Sequence, residues 1–180
     1  MSKSILQELA DKWLFQNLDI SQWVVKEQTS NRTYNKIYVV YITRIAPFRR
    51  QNAYKYGYTG QIWSRLYGLR KKQKVTELLH LFIFPDKTSA ILFENYIKEY
   101  VDAHKFRPSK NKNMETLVIE SAMFNKFVDD IKAEYSKRCP FNLNNDGLVQ
   151  YIECCNNHIS TLKLYATPKK QAAYEASLSK

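Results

Sequence analysis

Two short runs of β-branched and aromatic residues, Lys36 to Arg44 (KIYVVYITR) and Ala53 to Tyr58 (AYKYGY), constrain the fold of this chain more than any other feature. Such residues fit a pleated, half-buried surface, and the segment between the runs holds Pro47 and the charged pair Arg49-Arg50. The pattern predicts a strand, a loop and a strand. Gly60 then opens a helix over Gln61 to about Lys72, with Ile62, Leu66 and Leu69 on one face. A third strand, Leu78 to Phe84, is stopped by Pro85. A second helix follows from Ala90 to about His104, with Thr88 or Ser89 as its cap and Asp86 near its positive end.

The flanks read differently. Ile5, Leu6, Leu9, Trp13 and Leu14 recur at helical spacing between Ser4 and Leu18, and the polar stretch Lys26 to Asn35 reads as a connecting loop. After the second core helix come a basic loop (Lys105 to Lys112), an amphipathic helix (Ile119 to about Lys137) and a turn (Asn142 to Asp146). A mostly helical end follows, with Thr167-Pro168 starting a terminal helix. With 180 residues there is room for one sizeable core with extensions. The expected architecture is α+β: a small antiparallel three-stranded sheet in β-β-α-β-α order over residues 36–104, flanked by helices. Helical extensions are expected at 1–35 and 105–180.

Lys and Arg outnumber Asp and Glu by 28 to 17, a formal charge of +11. Polyanions are the natural partners of such a surface, because each phosphate neutralised by a cation releases condensed counterions. Solubility alone, or an anionic membrane surface, is the competing reading. No apolar run approaches the roughly 20 residues that span a bilayer, so no membrane segment is expected. Cys139, Cys154 and Cys155 form no disulfide framework, and a reducing compartment, cytosol or a nucleus reached by diffusion, is the simpler inference. With His158 the cysteines invite a zinc reading, but adjacent cysteines seldom close around one tetrahedral metal. Phosphate-binding glycine loops and H-E-x-x-H are missing, so no nucleotide cofactor is expected.

One ordered set of residues carries chemistry. Ile37-Tyr38-Val39-Val40-Tyr41-Ile42, then Lys55-Tyr56-Gly57-Tyr58-Thr59, then Arg65, then Glu94 resembles the GIY-YIG nuclease superfamily. It looks most like the branch, common among phages and large viruses, whose second motif reads Lys-Ile-Gly-Tyr-Thr. The eight-residue interval from Gly57 to Arg65 and the β-β-α-β-α order match that pattern over residues 36–104. The resemblance implies a DNA endonuclease that hydrolyses phosphodiester bonds with Mg²⁺ (or Mn²⁺). In it Glu94 holds the metal, Arg65 braces the phosphoryl group, and tyrosines of the two strands orient or activate the attacking water. Tyr38 matches the first of these tyrosines.

A reading of the second core helix reaches the same glutamate. At about 100° per residue the apolar arc runs through Leu92, Tyr96, Phe93, Ile97 and Val101, and Glu94 lies at its edge, whereas Glu99 and Asp102 point away. Glu94 as a surface partner of Lys98 is the alternative, and Arg65 as an ordinary exposed helix residue is another. The sequence also departs from the family pattern. Lys55 stands in place of the second motif's tyrosine, where strand alternation lets it share a face with Gly57 and join Tyr38. Leu69 stands where a histidine or tyrosine is expected and cannot transfer a proton, leaving Tyr58 or Tyr67 as substitutes. Gly57 itself leaves space for an approaching phosphate or metal.

Basic residues follow the motifs: Arg49 and Arg50, then Arg70, Lys71 and Lys72, then Lys105, Arg107, Lys110 and Lys112. They are candidate contacts to the backbone of double-stranded DNA, with the extensions positioning DNA or joining two copies of the chain. A DNA-binding module that has lost the reaction is the first rival to the enzyme. A structural protein whose tyrosines are merely core is the second, and RNA is a further potential substrate.

Overall fold

The first aromatic run is buried without interruption from Ile37 to Thr43, the mark of a strand covered on both faces. In the computed structural model, which describes residues 23–108 and 115–164, that strand is central. A hairpin of β1 (Val25–Thr29) and β2 (Arg32–Lys36) precedes β3 (Tyr38–Phe48) and β4 (Gln51–Thr59). Then come α1 (Ile62–Gln73), β5 (Val75–Phe84), α2 (Lys87–Ala103), β6 (Thr116–Val118), α3 (Ser121–Arg138) and α4 (Asp146–Leu164). The main sheet is antiparallel, with strand order β5-β3-β4-β6.

The α+β class and the core order agree with the sequence, with two corrections. The sheet has four strands, since Thr116-Leu117-Val118 pairs with Ala53–Lys55. The polar stretch expected to be a loop is the hairpin β1–β2, closed by Ser30-Asn31 between Thr29 and Arg32. The expected helix from Ser4 to Leu18, Lys110, Lys112 and the terminal helix from Thr167-Pro168 lie outside the described residues.

Each face of the sheet carries its own apolar layer. On one, Val40, Ile42, Tyr54, Tyr56, Phe82 and Phe84 pack against Phe93, Ile97 and Val101 of α2 and Phe127, Ile131 and Tyr135 of α3. On the other, Val39, Tyr41 and Leu81 pack against Ile62, Leu66 and Leu69 of α1 and Leu148, Tyr151 and Cys155 of α4. Cys139 belongs to the first layer and Cys155 to the second, so the sheet separates two thiols of the zinc reading. The outer edge of β5 is closed by side chains. Tyr135 Oη donates to Ile83 O at 2.6 Å and accepts from Ile83 N at 3.2 Å. Asn156 bonds both Leu78 N, at 2.7 Å, and Leu78 O, at 2.9 Å. An edge strand capped in this way offers less template for pairing with another chain.

The β3–β4 hairpin turns through Arg49 and Arg50, both at positive φ, as a two-residue turn that matches strand twist requires. From Phe48↔Gln51 to Ile45↔Ala53 the register shifts by one residue. That bulge decides what faces what. A regular ladder from this turn would place Lys55 and Gly57 on the face of Tyr38 and Ile42. The shifted ladder pairs Gly57 with Tyr41 and Lys55 with Thr43 instead.

Candidate active site at the open edge of β4

β6 covers only part of the β4 edge. Below the three paired residues one further main-chain bond, Tyr56 N to Glu115 O at 3.1 Å, fixes the backbone of Glu115. Gly57 to Thr59 extend beyond it with no paired strand on that side among the described residues. Here the two helical layers meet around the sheet. Arg65 from α1 and Glu94 from α2, which pack on opposite faces, line one cleft of about 370 Å³ together with Glu115, Tyr38 and Tyr58.

Arg65 Nε donates to Tyr41 Oη at 3.0 Å, and its Nη2 lies 3.9 Å from Glu115 Oε2. The same carboxylate oxygen accepts from Lys55 Nζ at 3.1 Å. The Lys55 side chain is only 7% exposed, against 38% for Glu115, so the lysine supports the carboxylate from inside the protein. Gly57 makes this assembly fit. A Cβ there would stand 2.7 Å from Tyr41 Oη and 3.3 Å from Glu115 Oε2, which no ordinary packing allows.

The electrostatics follow from that crowding. Burial, then the neighbouring charge of Glu115 and a hydrogen bond shared with it, pushes the Glu94 carboxyl up to about 7. Arg65 and Lys55 pull it the other way. Glu94 therefore keeps a proton up to about neutral pH and shares a hydrogen bond with Glu115. Burial pushes the Tyr41 phenol up to about 12 although Arg65 opposes it, so Tyr41 stays protonated at neutral pH. Burial works against the Arg65 charge, but the Tyr41 hydroxyl, Glu115 and Glu94 outweigh it and hold the guanidinium firmly protonated.

Of the residues expected at the site, Arg65 and Glu94 come together, and Lys55 reaches it through Glu115. Leu92, expected on the apolar arc of α2, is exposed, and Asp86 rather than Thr88 or Ser89 caps that helix by accepting from Ser89 N at 2.8 Å. Tyr38 requires a correction. It lines the same cleft as Arg65 and Glu94, but because of the bulge it does so from the face opposite Lys55, and its hydroxyl donates to Glu27 of the hairpin. Tyr58 lines the cleft from the Tyr38 face. Leu69 is buried core of the α1 layer. The residues the sequence reading missed are Tyr41 and Glu115. Glu115 is the single acidic residue between Asp102 and Glu120 and opens a β-prone run, a signal the basic surroundings obscure.

The expected DNA contacts divide. Arg49 and Arg50 occupy the tip of the β3–β4 hairpin, about 23 Å along the strand from Gly57 at about 3.3 Å per residue, which takes them away from the cleft. Lys105 lies past the C-terminal end of α2, whereas Lys87 and Glu94 place the cleft at its N-terminal half. Arg107 is a second correction. Its side chain is 12% exposed and ion-paired with Asp102, which leaves little of it for a phosphate. Arg70 is half-buried on α1 near Tyr67, and Lys71 and Lys72 occupy the last turn of that helix.

Glu94 and Glu115 offer the kind of donor a hard divalent cation prefers, two carboxylates that share a hydrogen bond. A cation that replaces that proton relieves their repulsion, so the donor set fits Mg²⁺ retaining several waters. No group of three metal-ligating side chains occurs among the described residues. No helix among them is long and apolar enough to cross a membrane. Comparison with family models, with curated proteins and with solved structures finds no match to this chain.

Proposed function

We propose that this protein is a divalent-metal-dependent DNA endonuclease of the GIY-YIG kind, with its site at the open edge of β4. The observation that carries the reading is the meeting of Arg65 and Glu94, from helices on opposite faces of the sheet, beside Glu115 and the Tyr41 hydroxyl. Phosphodiester hydrolysis needs an in-line water, a brace for charge growing on the phosphoryl oxygens, and stabilisation of the leaving 3′ oxygen. Arg65, locked through Nε, has its outer nitrogens directed toward Glu115 and the cleft and braces the phosphoryl group. Glu115, together with Glu94, would hold Mg²⁺ (or Mn²⁺), which would supply Lewis-acid stabilisation of the leaving oxygen. Tyr41, a neutral buried phenol, holds Arg65 in place rather than removing a proton from the attacking water. Were Glu115 alone to hold the cation, Glu94, poised near neutrality, would be free to take the proton of that water. Lys55 holds the Glu115 carboxylate in place.

The formal charge of +11 supports double-stranded DNA as the polyanion. Supercoiled plasmid incubated with Mg²⁺ or with EDTA, beside Arg65→Ala, Glu94→Gln and Glu115→Gln, tests the reading. Metal-dependent nicking or linearisation that all three variants lose is the expected result. The second reading, a DNA-binding module without catalysis, draws on Leu69, which is sealed in the core where a proton-transfer residue would be needed. Equal DNA binding with no cutting by any form would favour it.

A further inference from the structure

The cleft extends beyond the carboxylate pair. The hairpin β1–β2 brings Glu27 to its far wall, where the Glu27 carboxylate accepts hydrogen bonds from Lys36 Nζ and from Tyr38 Oη. Lys87, the first residue of α2, lines the same wall and adds its charge. Gly60 makes this corner possible. A Cβ there would meet Lys36 Cδ at 3.0 Å and the Tyr38 ring at 3.1 Å, so a side chain would push apart the two donors that hold Glu27. An amine and a phenol that bond one carboxylate, with a second amine on the same wall, form a receptor for an oxyanion. Here the oxyanion is the chain's own.

We propose that Lys36, Tyr38 and Lys87 form a phosphate subsite for the DNA strand next to the reacting group, and that Glu27 occupies it as an internal stand-in which the incoming phosphodiester displaces. This rests on the reading of the cleft as a DNA site, and it goes beyond it by giving the hairpin a part in binding. The displacement is feasible because the pair is partly open to water, with Lys36 25% and Glu27 36% exposed, and exposed ion pairs of this kind are weak. A phosphodiester cannot share the site with the carboxylate, since both are anions and take the same donors. In the empty cleft Glu27 holds Lys36 and Tyr38 together. On binding, the carboxylate leaves for water and the phosphate inherits its partners. Tyr38, buried and tied to Glu27, has its phenol raised to about 12, so it remains a hydrogen-bond donor for either occupant.

Binding measured in EDTA separates this from cleavage. A short fluorescent DNA duplex is titrated into wild type, Glu27→Gln, Glu27→Ala, and Glu27→Gln combined with Lys36→Gln or Lys87→Gln, over a range of salt, with circular dichroism to establish that each variant is folded. Both Glu27 variants are expected to bind about 3- to 10-fold more tightly at low salt, with the slope of log affinity against log salt steeper by about one. The Lys36→Gln double variant loses that gain. Wild type and Glu27 variants that bind duplex equally and with the same slope would overturn the subsite while leaving the nuclease reading intact. No duplex binding by any form would take down both. A parallel titration with inorganic phosphate distinguishes the source of the anion: a Glu27→Gln gain for free phosphate without one for duplex would overturn the DNA assignment.

Discussion

Arg65 Nε reaches across from α1 to donate to the hydroxyl of Tyr41, a residue of the middle strand with no exposed surface, at 3.0 Å. A guanidinium held by its inner nitrogen leaves its outer pair directed at Glu115 and the cleft, so in the proposed nuclease the phenol would anchor the phosphoryl brace. Tyr41→Phe removes the acceptor and keeps the ring in the core. It is expected to lower plasmid cleavage about 10- to 100-fold with little change in DNA affinity, in the range of losing one positioned hydrogen bond. Tyr38→Phe is expected to change cleavage by no more than a few fold. A reversal, with Tyr38→Phe the more damaging at the chemical step in single-turnover assays, would return the first-strand role to Tyr38.

Glu94 makes the protein sensitive to pH. Its carboxyl is pushed from the ordinary value near 4.5 up to about 7, so the folded chain keeps a proton that the unfolded chain has already released. The stability linked to that proton is present in full below about 4.5, declines between the two values and is lost as pH rises through about 7. In EDTA, Tm of wild type is therefore expected to fall relative to Glu94→Gln between pH 5 and 8. A constant difference across that range would contradict the shared proton. Under the proposed function, cleavage is expected to move in the opposite sense, rising through about pH 7 as Glu94 ionises to serve as ligand or base. More Mg²⁺ is expected to move that midpoint to lower pH, because the cation competes with the proton.

Which parts of this were legible in the sequence follows from how far each signal reaches. The core strands and helices are each written in a local period, so β3 to α2 emerge within a few residues of their ends. Arg65 and Glu94 could be chosen from spacing, motif order and the arc of α2. The partner of Arg65 could not, because it depends on a one-residue shift between Ile45 and Phe48 that exchanges every side chain of β4 between the faces of β3. A bulge has no periodic signature. Glu115 escaped for a related reason. It stands beside a three-residue strand whose place is set by pairing with β4, far away in sequence. The hairpin β1–β2 was hidden by composition, since its strands are polar.

Gly57 is expected to be intolerant of even a methyl group. A Cβ at this position would come within 2.7 Å of Tyr41 Oη, and that phenol has no exposed surface and cannot swing away, with Glu115 on the other side. Gly57→Ala is expected to cost about 1–3 kcal/mol in urea unfolding, as overpacking does, and to reduce cleavage by an order of magnitude or more by displacing the Arg65 anchor. A variant that matches wild type in both measurements would show that the close approach is readily relaxed.

Tyr135 tests the sheet rather than the site. Its hydroxyl donates to Ile83 O at 2.6 Å and accepts from Ile83 N at 3.2 Å, so one side chain satisfies both outward main-chain groups of a buried residue on the edge of β5. Tyr135→Phe keeps the ring among Phe82, Phe84 and Phe93 but orphans that amide and leaves the carbonyl only the weak Cys139 thiol donor at 3.4 Å. Because buried polar groups without partners lose their hydration for nothing, the expected cost is about 1–3 kcal/mol by equilibrium unfolding, with cleavage per folded molecule unchanged. Asn156→Ala removes the equivalent pair at Leu78, where the asparagine is only half-buried and water can substitute for it, and is expected to cost less. A loss for Tyr135→Phe below about 0.5 kcal/mol, the level of an ordinary surface substitution, would mean that solvent reaches the Ile83 edge and that α3 does not seal it.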